Sequence, residues 1–361
     1  MKKIGLYIHV PFCASRCGYC DFYARVRRNQ LQDYLKTLKE EIGRWRGSGL
    51  QADSLFFGGG TPSLLPPEEV GGLIRLCREV FDLEGEITLE ANPDTVTAES
   101  LAALRRSGVN RLSFGVQSAV EEELRLLGRK HSFRQAALAV EQARQAGFDN
   151  LSLDVMVGIP HQTMDSLLLT LERMTALQPE HLSCYLLKIE EGTPFARRHM
   201  EQLCADEDTA AEFYLTVCRY LREKGYAHYE ISNFARPGFE SRHNLKYWRC
   251  EDYLGFGPAA HSCQGGERRY HPADLSSYLE SGGRDLCGDG PSGSPEERIM
   301  LALRLSEGIS PAALPSSFDW ERFSRKCAPY LKAGLMEKTA DGLRLTEQGF
   351  LLSNSLLAEI L

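Results

Sequence analysis

Over the first two-thirds of the chain, short apolar runs of strand length alternate with stretches whose apolar positions recur every three to four residues. IGLYIHV (4–10), SLFFGG (54–59), EITLEAN (86–92), RLSFGVQS (111–118), NLSLDVMVGIP (150–160) and HLSCYLLKIE (181–190) read as strands. Amphipathic helices are expected over 29–45, 67–81, 98–108, 132–147 and along DSLLLTLERMTAL, with Gly108 and Gly147 ending two of them. Strands apolar on both faces, joined in order by crossover helices, imply a parallel sheet. The expected class is α/β, with six strand–helix units closed or partly closed into a barrel. Functional residues of such a barrel gather at the C-terminal ends of the strands.

The periodicity weakens after about residue 230. We read residues 1–235 as the barrel and 236–290 as an irregular connector rich in Gly, aromatics, His and Arg. Within it, GGRDLCGDGPSGSPE has linker composition. Residues 291–361 read as a small, mostly helical, winged-helix-like domain, with a two-strand wing before a final helix. Hydrophobic content of 43% and charged content of 25% are those of a soluble globular protein, and the net charge of −7 argues against a general nucleic-acid binder. No apolar run approaches the roughly 18–20 residues that span a bilayer. The basic start, MKK, is followed by too short an apolar stretch for a signal peptide. An odd eleven cysteines without a secretory signal imply a reducing, cytoplasmic setting.

Three of those cysteines carry the strongest chemical signal. Cys13, Cys17 and Cys20 lie in HVPFCASRCGYCDFYA with the spacing C-x3-C-x2-C, and no fourth follows. Zinc sites usually add a second ligand pair downstream, and none is present here. A 4Fe–4S cluster takes one ligand per iron, so three thiolates would leave one iron open to a small molecule. The spacing favours the cluster over zinc. The other eight cysteines are scattered singly, as small buried hydrophobes are.

An open iron can take an amino acid through its amine and carboxylate. S-adenosylmethionine (SAM) offers both, and its sulfonium is a leaving group for one-electron reductive cleavage. FFGGGTPS (56–63) supplies backbone polar groups at a strand end, where missing side chains permit close approach. A simple tight turn is the alternative; a phosphate loop lacks support without G-x4-G-K-S/T. Glu90 and Gln117 end strands with groups suited to ribose and amide recognition. Asp154 sits in an otherwise apolar strand, where an unpaired charge is costly. Each has a structural reading as a satisfied polar residue, but three at successive strand ends point to one ligand site.

YIHVPF before CASRCGYC, then GGGTPS, GVNRLSFGVQS, LGRKH and LDVMVGIPHQT, resemble the radical SAM superfamily. More narrowly they resemble the branch of oxygen-independent coproporphyrinogen III oxidases and their HemW-type relatives. The resemblance runs in order from Tyr7 to about His261. It implies an incomplete parallel (β/α)6 TIM-like barrel holding a 4Fe–4S cluster and SAM, and an electron donor. Carried over by position, Cys13, Cys17 and Cys20 would ligate the cluster. Tyr7, Gly59, Gly60, Thr61, Glu90, Gln117, Arg129 and Asp154 would contact SAM.

Two departures separate this chain from the oxidases. They resemble C-x3-C-x2-C-x-C, whereas Phe22 stands at the last position here, and only twelve residues precede Cys13. RHNLKYW (242–248) instead places His243, Asn244, Tyr247 and Trp248 in the H-N-x-x-Y-W pattern of the HemW-type haem chaperones. The resemblance therefore implies haem as cargo, contacted by those four residues, with His261, His228 and Cys250 as alternative ligands. Acceptor haemoproteins, such as membrane proteins of a respiratory chain, would be partners, and a homodimer is compatible with the sequence. Slow or absent SAM turnover is expected. The alternative is an oxidoreductase: radical-mediated oxidative decarboxylation of a porphyrinogen.

Overall fold

A computed structural model of the chain describes residues 3–26 and 28–361. Six strands run in parallel, in the order in which they occur: β1 (Ile4–Val10), β2 (Ala52–Gly59), β3 (Glu86–Ala91), β4 (Arg111–Gln117), β5 (Leu151–Val157) and β6 (His181–Leu186). Their near-continuous apolar sequence follows from burial on both faces, one against crossover helices and one against the barrel interior. In β1 only Tyr7 escapes full burial, because it faces an internal cavity. Three of the crossover helices start where their sequences supply caps. Thr97 with Ser100, Ser132 with Gln135 and Thr163 with Ser166 each form a reciprocal capping box.

After β6 come β7 (Ala227–Glu230), β8 (Asn233–Ala235), β9 (Tyr253–Phe256), β10 (His261–Gln264), β11 (Glu267–Tyr270) and β12 (Cys287–Pro291). All twelve strands form one sheet in the order β12-β11-β10-β9-β1-β2-β3-β4-β5-β6-β8-β7. β9 pairs parallel to β1, so that seven parallel strands run from β9 to β6. β1 bonds to β2 and β9, not to β6, and the barrel is open between its first and sixth strands. The stretch 236–290 thus departs from the expected irregular connector. It carries the helices Arg242–Trp248 and Leu275–Glu280 and extends the sheet on the β1 edge. Strands of four residues such as YLGF carry too little periodicity to be read alone; the edge of β1 makes them strands.

The C-terminal region holds the helices Pro295–Ala302, Trp320–Lys332, Glu347–Leu351 and Ser353–Ile360 and a hairpin of β13 (Met336–Lys338) and β14 (Leu343–Leu345). This region is tied to the β7 edge by Ile231 N–H on Arg304 O (3.0 Å) and Ser306 Oγ on His228 O (2.5 Å). Among the described residues no helix is long and apolar enough to cross a membrane.

Candidate functional site

The segment after β1 leaves the barrel top and returns. Cys13 N–H donates to Arg25 O (3.0 Å) and Arg25 N–H to Pro11 O (2.8 Å), closing a loop that contains Cys13, Cys17 and Cys20. Gly18 N–H donates to Leu127 O (3.4 Å) and Phe195 N–H to Gly18 O (2.9 Å), which press the loop onto the mouth of the barrel. A Cβ on Gly18 would lie 2.4 Å from the Phe195 ring, so this contact requires glycine.

Three side chains join the loop to three strand ends. Thr61 Oγ1 donates to Cys13 Sγ (3.5 Å), and Asn92 Nδ2 donates to Thr61 Oγ1 (3.3 Å). Arg129 donates through Nη2 to Asn92 Oδ1 (2.6 Å) and to Gly115 O, and through Nη1 to Cys17 Sγ (3.6 Å). The chain Cys13–Thr61–Asn92–Arg129–Cys17 is therefore continuous. Burial raises the Cys13 thiol pKa and pushes Cys20 up to about 11, so these sulfurs need a cation to be held as thiolates. The three sulfurs do not all lie within 4.8 Å of one another. One tetrahedral zinc would bring them to about 3.8 Å, given bonds of about 2.3 Å. A wider, multinuclear group fits this loop better.

The glycine run approaches this loop from β2. A Cβ on Gly59 would lie 2.6 Å from the His9 ring, at a φ of 104°, and one on Gly60 would lie 2.5 Å from Phe12 O. Gly60 N–H donates to Val10 O (2.8 Å) and Thr61 N–H to Phe12 O (2.7 Å). The run therefore offers a ligand fewer free amides than the sequence implies: two of them stitch the loop to the chain after β1.

Below the loop lies a cavity of about 150 Å³ lined by Tyr7, Glu90 and Asp154 together with Phe56, Arg111, Ser113, His181, Ser183, His243, Asn244 and Tyr247. Its volume is below that of ordinary small-molecule pockets, so it would hold part of SAM rather than the whole. Burial, and then the charge of Asp154, pushes Glu90 up to about 8. Burial pushes Asp154 to about 6, against the hydrogen bond from Ser113 Oγ (3.2 Å) and the charge of Arg111. Arg111 is 2% exposed, and its Nε has no partner among the described residues. Above the cavity Gln117, at a φ of 75°, is buried with its Oε1 unpartnered. Two carboxyls facing one space suit a polar cationic ligand with hydroxyls and an amine.

His243, Asn244 and Tyr247 line the first cavity, whereas Trp248 does not. The helix Arg242–Trp248 closes the floor of the barrel beneath the first residues of β1, β2 and β3. His243 N–H donates to Glu86 Oε1 (3.2 Å), and Lys246 Nζ meets Asp53 Oδ1 at 2.9 Å. The His243 ring, 1% exposed, shares hydrogen bonds with Ser54 Oγ (3.0 Å) and Tyr247 Oη (2.7 Å). Burial, with the charge of Lys246, lowers its pKa to about 3. Both ring nitrogens are engaged, which leaves no lone pair for an iron in this conformation. The histidine that the motif offers as a haem contact thus lies buried against the barrel floor. Tyr247 and Trp248 reach the wall of a second cavity beside the first.

Sequence reasoning missed Asn92, which joins Thr61 to Arg129, and Arg111, the buried cation of the first cavity. A charged residue opening the apolar run RLSFGVQ was the available signal for Arg111. Asn92 lies two residues beyond Glu90 at the same strand end, but nothing local distinguishes it. Of the alternative ligands, His228 lines neither cavity and is stacked on Phe234 at 4.3 Å beside Glu347. Cys250 and His261 line the second cavity.

The radical SAM superfamily matches residues 7–174, and the HemN C-terminal domain matches residues 294–352. "Heme chaperone HemW" of Bacillus subtilis is 35% identical over 98% of this chain and 98% of its own length. A mouse protein, "Radical S-adenosyl methionine domain-containing protein 1, mitochondrial", is 36% identical over 99% of this chain and 87% of its own. Among solved structures, coproporphyrinogen III oxidase (HemN) from Escherichia coli superposes with a TM-score of 0.83 at 25% identity. It covers 99% of this chain and 90% of the oxidase.

Proposed function

This chain belongs to the HemN-like branch of the radical SAM superfamily, alongside the HemW proteins, and from that premise we propose that it is a haem chaperone. It binds haem and passes it to acceptor haemoproteins. Cys13, Cys17 and Cys20 hold a 4Fe–4S cluster, and Tyr7, Gly59, Gly60, Thr61, Glu90, Gln117, Arg129 and Asp154 surround SAM. The cluster supplies an open iron and, from an external donor, an electron. The protein's own residues supply position and charge. Arg129 and Thr61 hold the sulfurs of Cys17 and Cys13, Glu90 and Asp154 face the cationic ligand, and Gln117 offers an unused amide oxygen.

The observation that carries the reading is similarity along the whole length to relatives named as haem chaperones, joined to Phe22 where the oxidases resemble a further cysteine. A second reading, porphyrinogen decarboxylation, draws on the oxidase's likeness of fold over nearly the full chain. One experiment separates them. Reduced holoprotein is incubated with SAM and either coproporphyrinogen III or haem. Haem binding followed by transfer to an apo-haemoprotein is expected, and a decarboxylated porphyrin would select the oxidase instead.

A further inference from the structure

The second cavity, about 710 Å³, lies on the far side of Tyr7 and Tyr247 from the carboxylate-lined one; these two residues line both. Its volume falls within the range of small-molecule pockets, and its walls are aromatic and aliphatic with a few polar groups. They come from four separate parts of the chain. Phe22, which is 65% exposed, is offered by the segment after the cysteine triad. Trp248 ends the floor helix, Tyr253 begins β9, and Leu301 comes from the C-terminal region. A planar, largely apolar ligand that needs one metal ligand and tolerates a cation at its rim matches this lining. Arg268, paired with Glu297, supplies that cation.

Resting on the haem-chaperone reading, we propose that this cavity is the haem site and that His261, rather than His243, ligates the iron. Two histidines line it. His9 uses both nitrogens, toward Tyr7 Oη (3.1 Å) and Tyr23 O (2.9 Å). The His261 ring stacks on Tyr270 at 5.3 Å, is exposed, and makes no hydrogen bond among the described residues. A neutral imidazole with a free nitrogen is an effective haem ligand. Of the thiols, Cys263 is buried on Ser292 Oγ (3.1 Å), and Cys250, whose pKa burial raises, points its Sγ at Glu297 Oε1 (4.0 Å). His243 is a positioning residue: through Tyr247 Oη it fixes the aromatic end of its helix against the cavity.

The test titrates ferric haem into the full-length holoprotein and reads affinity together with the Soret and electron paramagnetic resonance spectra. His261→Ala is expected to weaken binding by about tenfold or more, a loss of at least about 1.4 kcal/mol, and to abolish the imidazole-ligated spectrum. Added free imidazole should restore that spectrum, which a merely structural defect would not allow. His243→Ala is expected to keep the ligation signature while weakening binding, and Leu301→Arg to block haem without disturbing SAM binding. Imidazole ligation that survives His261→Ala but disappears in a folded His243→Ala variant, or a thiolate-ligated wild-type spectrum that disappears in a folded Cys250→Ala variant, would overturn the assignment. If the wild-type chain binds no haem, the chaperone reading fails first. If it binds haem and Leu301→Arg binds equally well, the cavity fails and the reading stands.

Discussion

Glu90 gives the most quantitative handle on the SAM site. It lines a cavity floored by the buried Arg111 and faces Asp154, and its pKa is pushed up to about 8 by burial and by that second carboxylate. Ribose hydroxyls that both donate to Glu90, beside a sulfonium, favour the ionised form. SAM binding should therefore expel a proton below pH 8, and affinity should rise with pH until the free protein is already ionised. The penalty factor is one plus ten raised to the difference between 8 and the pH. That is about 100 at pH 6, about 11 at pH 7 and about 1.1 at pH 9. Equilibrium titration of anaerobic, reconstituted protein over this range, in buffers of differing ionisation enthalpy, reads both affinity and about 0.9 protons released at pH 7. Glu90→Gln is the control: any titration of SAM itself is common to both proteins, so the ratio of their affinities isolates Glu90. That ratio should grow by roughly tenfold between pH 7 and pH 9. A ratio constant from pH 6 to pH 9 would refute the role of Glu90 as an ionised SAM ligand.

Other consequences can be checked separately. Anaerobic reconstitution should load about four irons and four sulfides per chain, with loss of the iron–sulfur absorption on Cys17→Ala. A protein that takes up zinc and shows no such absorption would remove the cluster. Arg129→Ala takes a cation from beside Cys17 and should make the cluster's reduction potential more negative, whereas Asn92→Ala should mainly shorten the cluster's lifetime under a chelator. Equal potentials in wild type and Arg129→Ala would count against the charge effect. Away from the site, buried His271 lies between Glu41 Oε1 (2.8 Å) and Asp285 Oδ1 (2.7 Å). Burial alone lowers its pKa, but the two carboxylates outweigh that and raise it above 6.5. Its stabilisation is thus complete below about pH 6.5 and fades as pH rises through the folded-state value. Denaturant melts should show His271→Ala less stable by about 3–5 kcal/mol at pH 6, with the gap narrowing at higher pH.

What the sequence could and could not announce follows from where the determining contacts lie. The helix over 67–81 is legible to the residue because Pro67 opens it and Asp82, in the left-handed region, ends it: local chemistry fixes both ends. The cysteine triad stands out by its spacing, and the glycine run and the carboxylates of β3 and β5 because they interrupt or end apolar strands. Asn92 does not, since its meaning comes from Thr61 and Arg129, 31 and 37 residues away. In HNLKYW, positions 243 and 247 are one helical turn apart, so their mutual hydrogen bond was predictable. Which face of that helix met solvent was not. Ser54 and Glu86, at the starts of two distant strands, decide that His243 points into the barrel floor.

That arrangement carries a consequence for how the two ligands affect each other. Tyr7 and Tyr247 form the wall between the cavities, and neither is free to move alone. Tyr247 is held by His243, while Tyr7 is bonded to His9, which is bonded in turn to Tyr23 in the segment after the cysteine triad. A SAM molecule that shifts Tyr7 or Tyr247 therefore reshapes the haem cavity, and haem packed on Tyr247 alters the space for SAM. Such coupling is reciprocal: if SAM changes haem affinity by some factor, haem must change SAM affinity by the same factor. Titrating each ligand in the presence and absence of the other measures the factor twice, and coupling of about 1–3 kcal/mol is typical of such linked sites. Tyr247→Phe removes the bond to His243 while keeping the ring, so it should bring the factor toward one while each ligand still binds alone. Affinities that are independent in the wild type would show the wall to be rigid and passive, and the two cavities to be neighbours without communication.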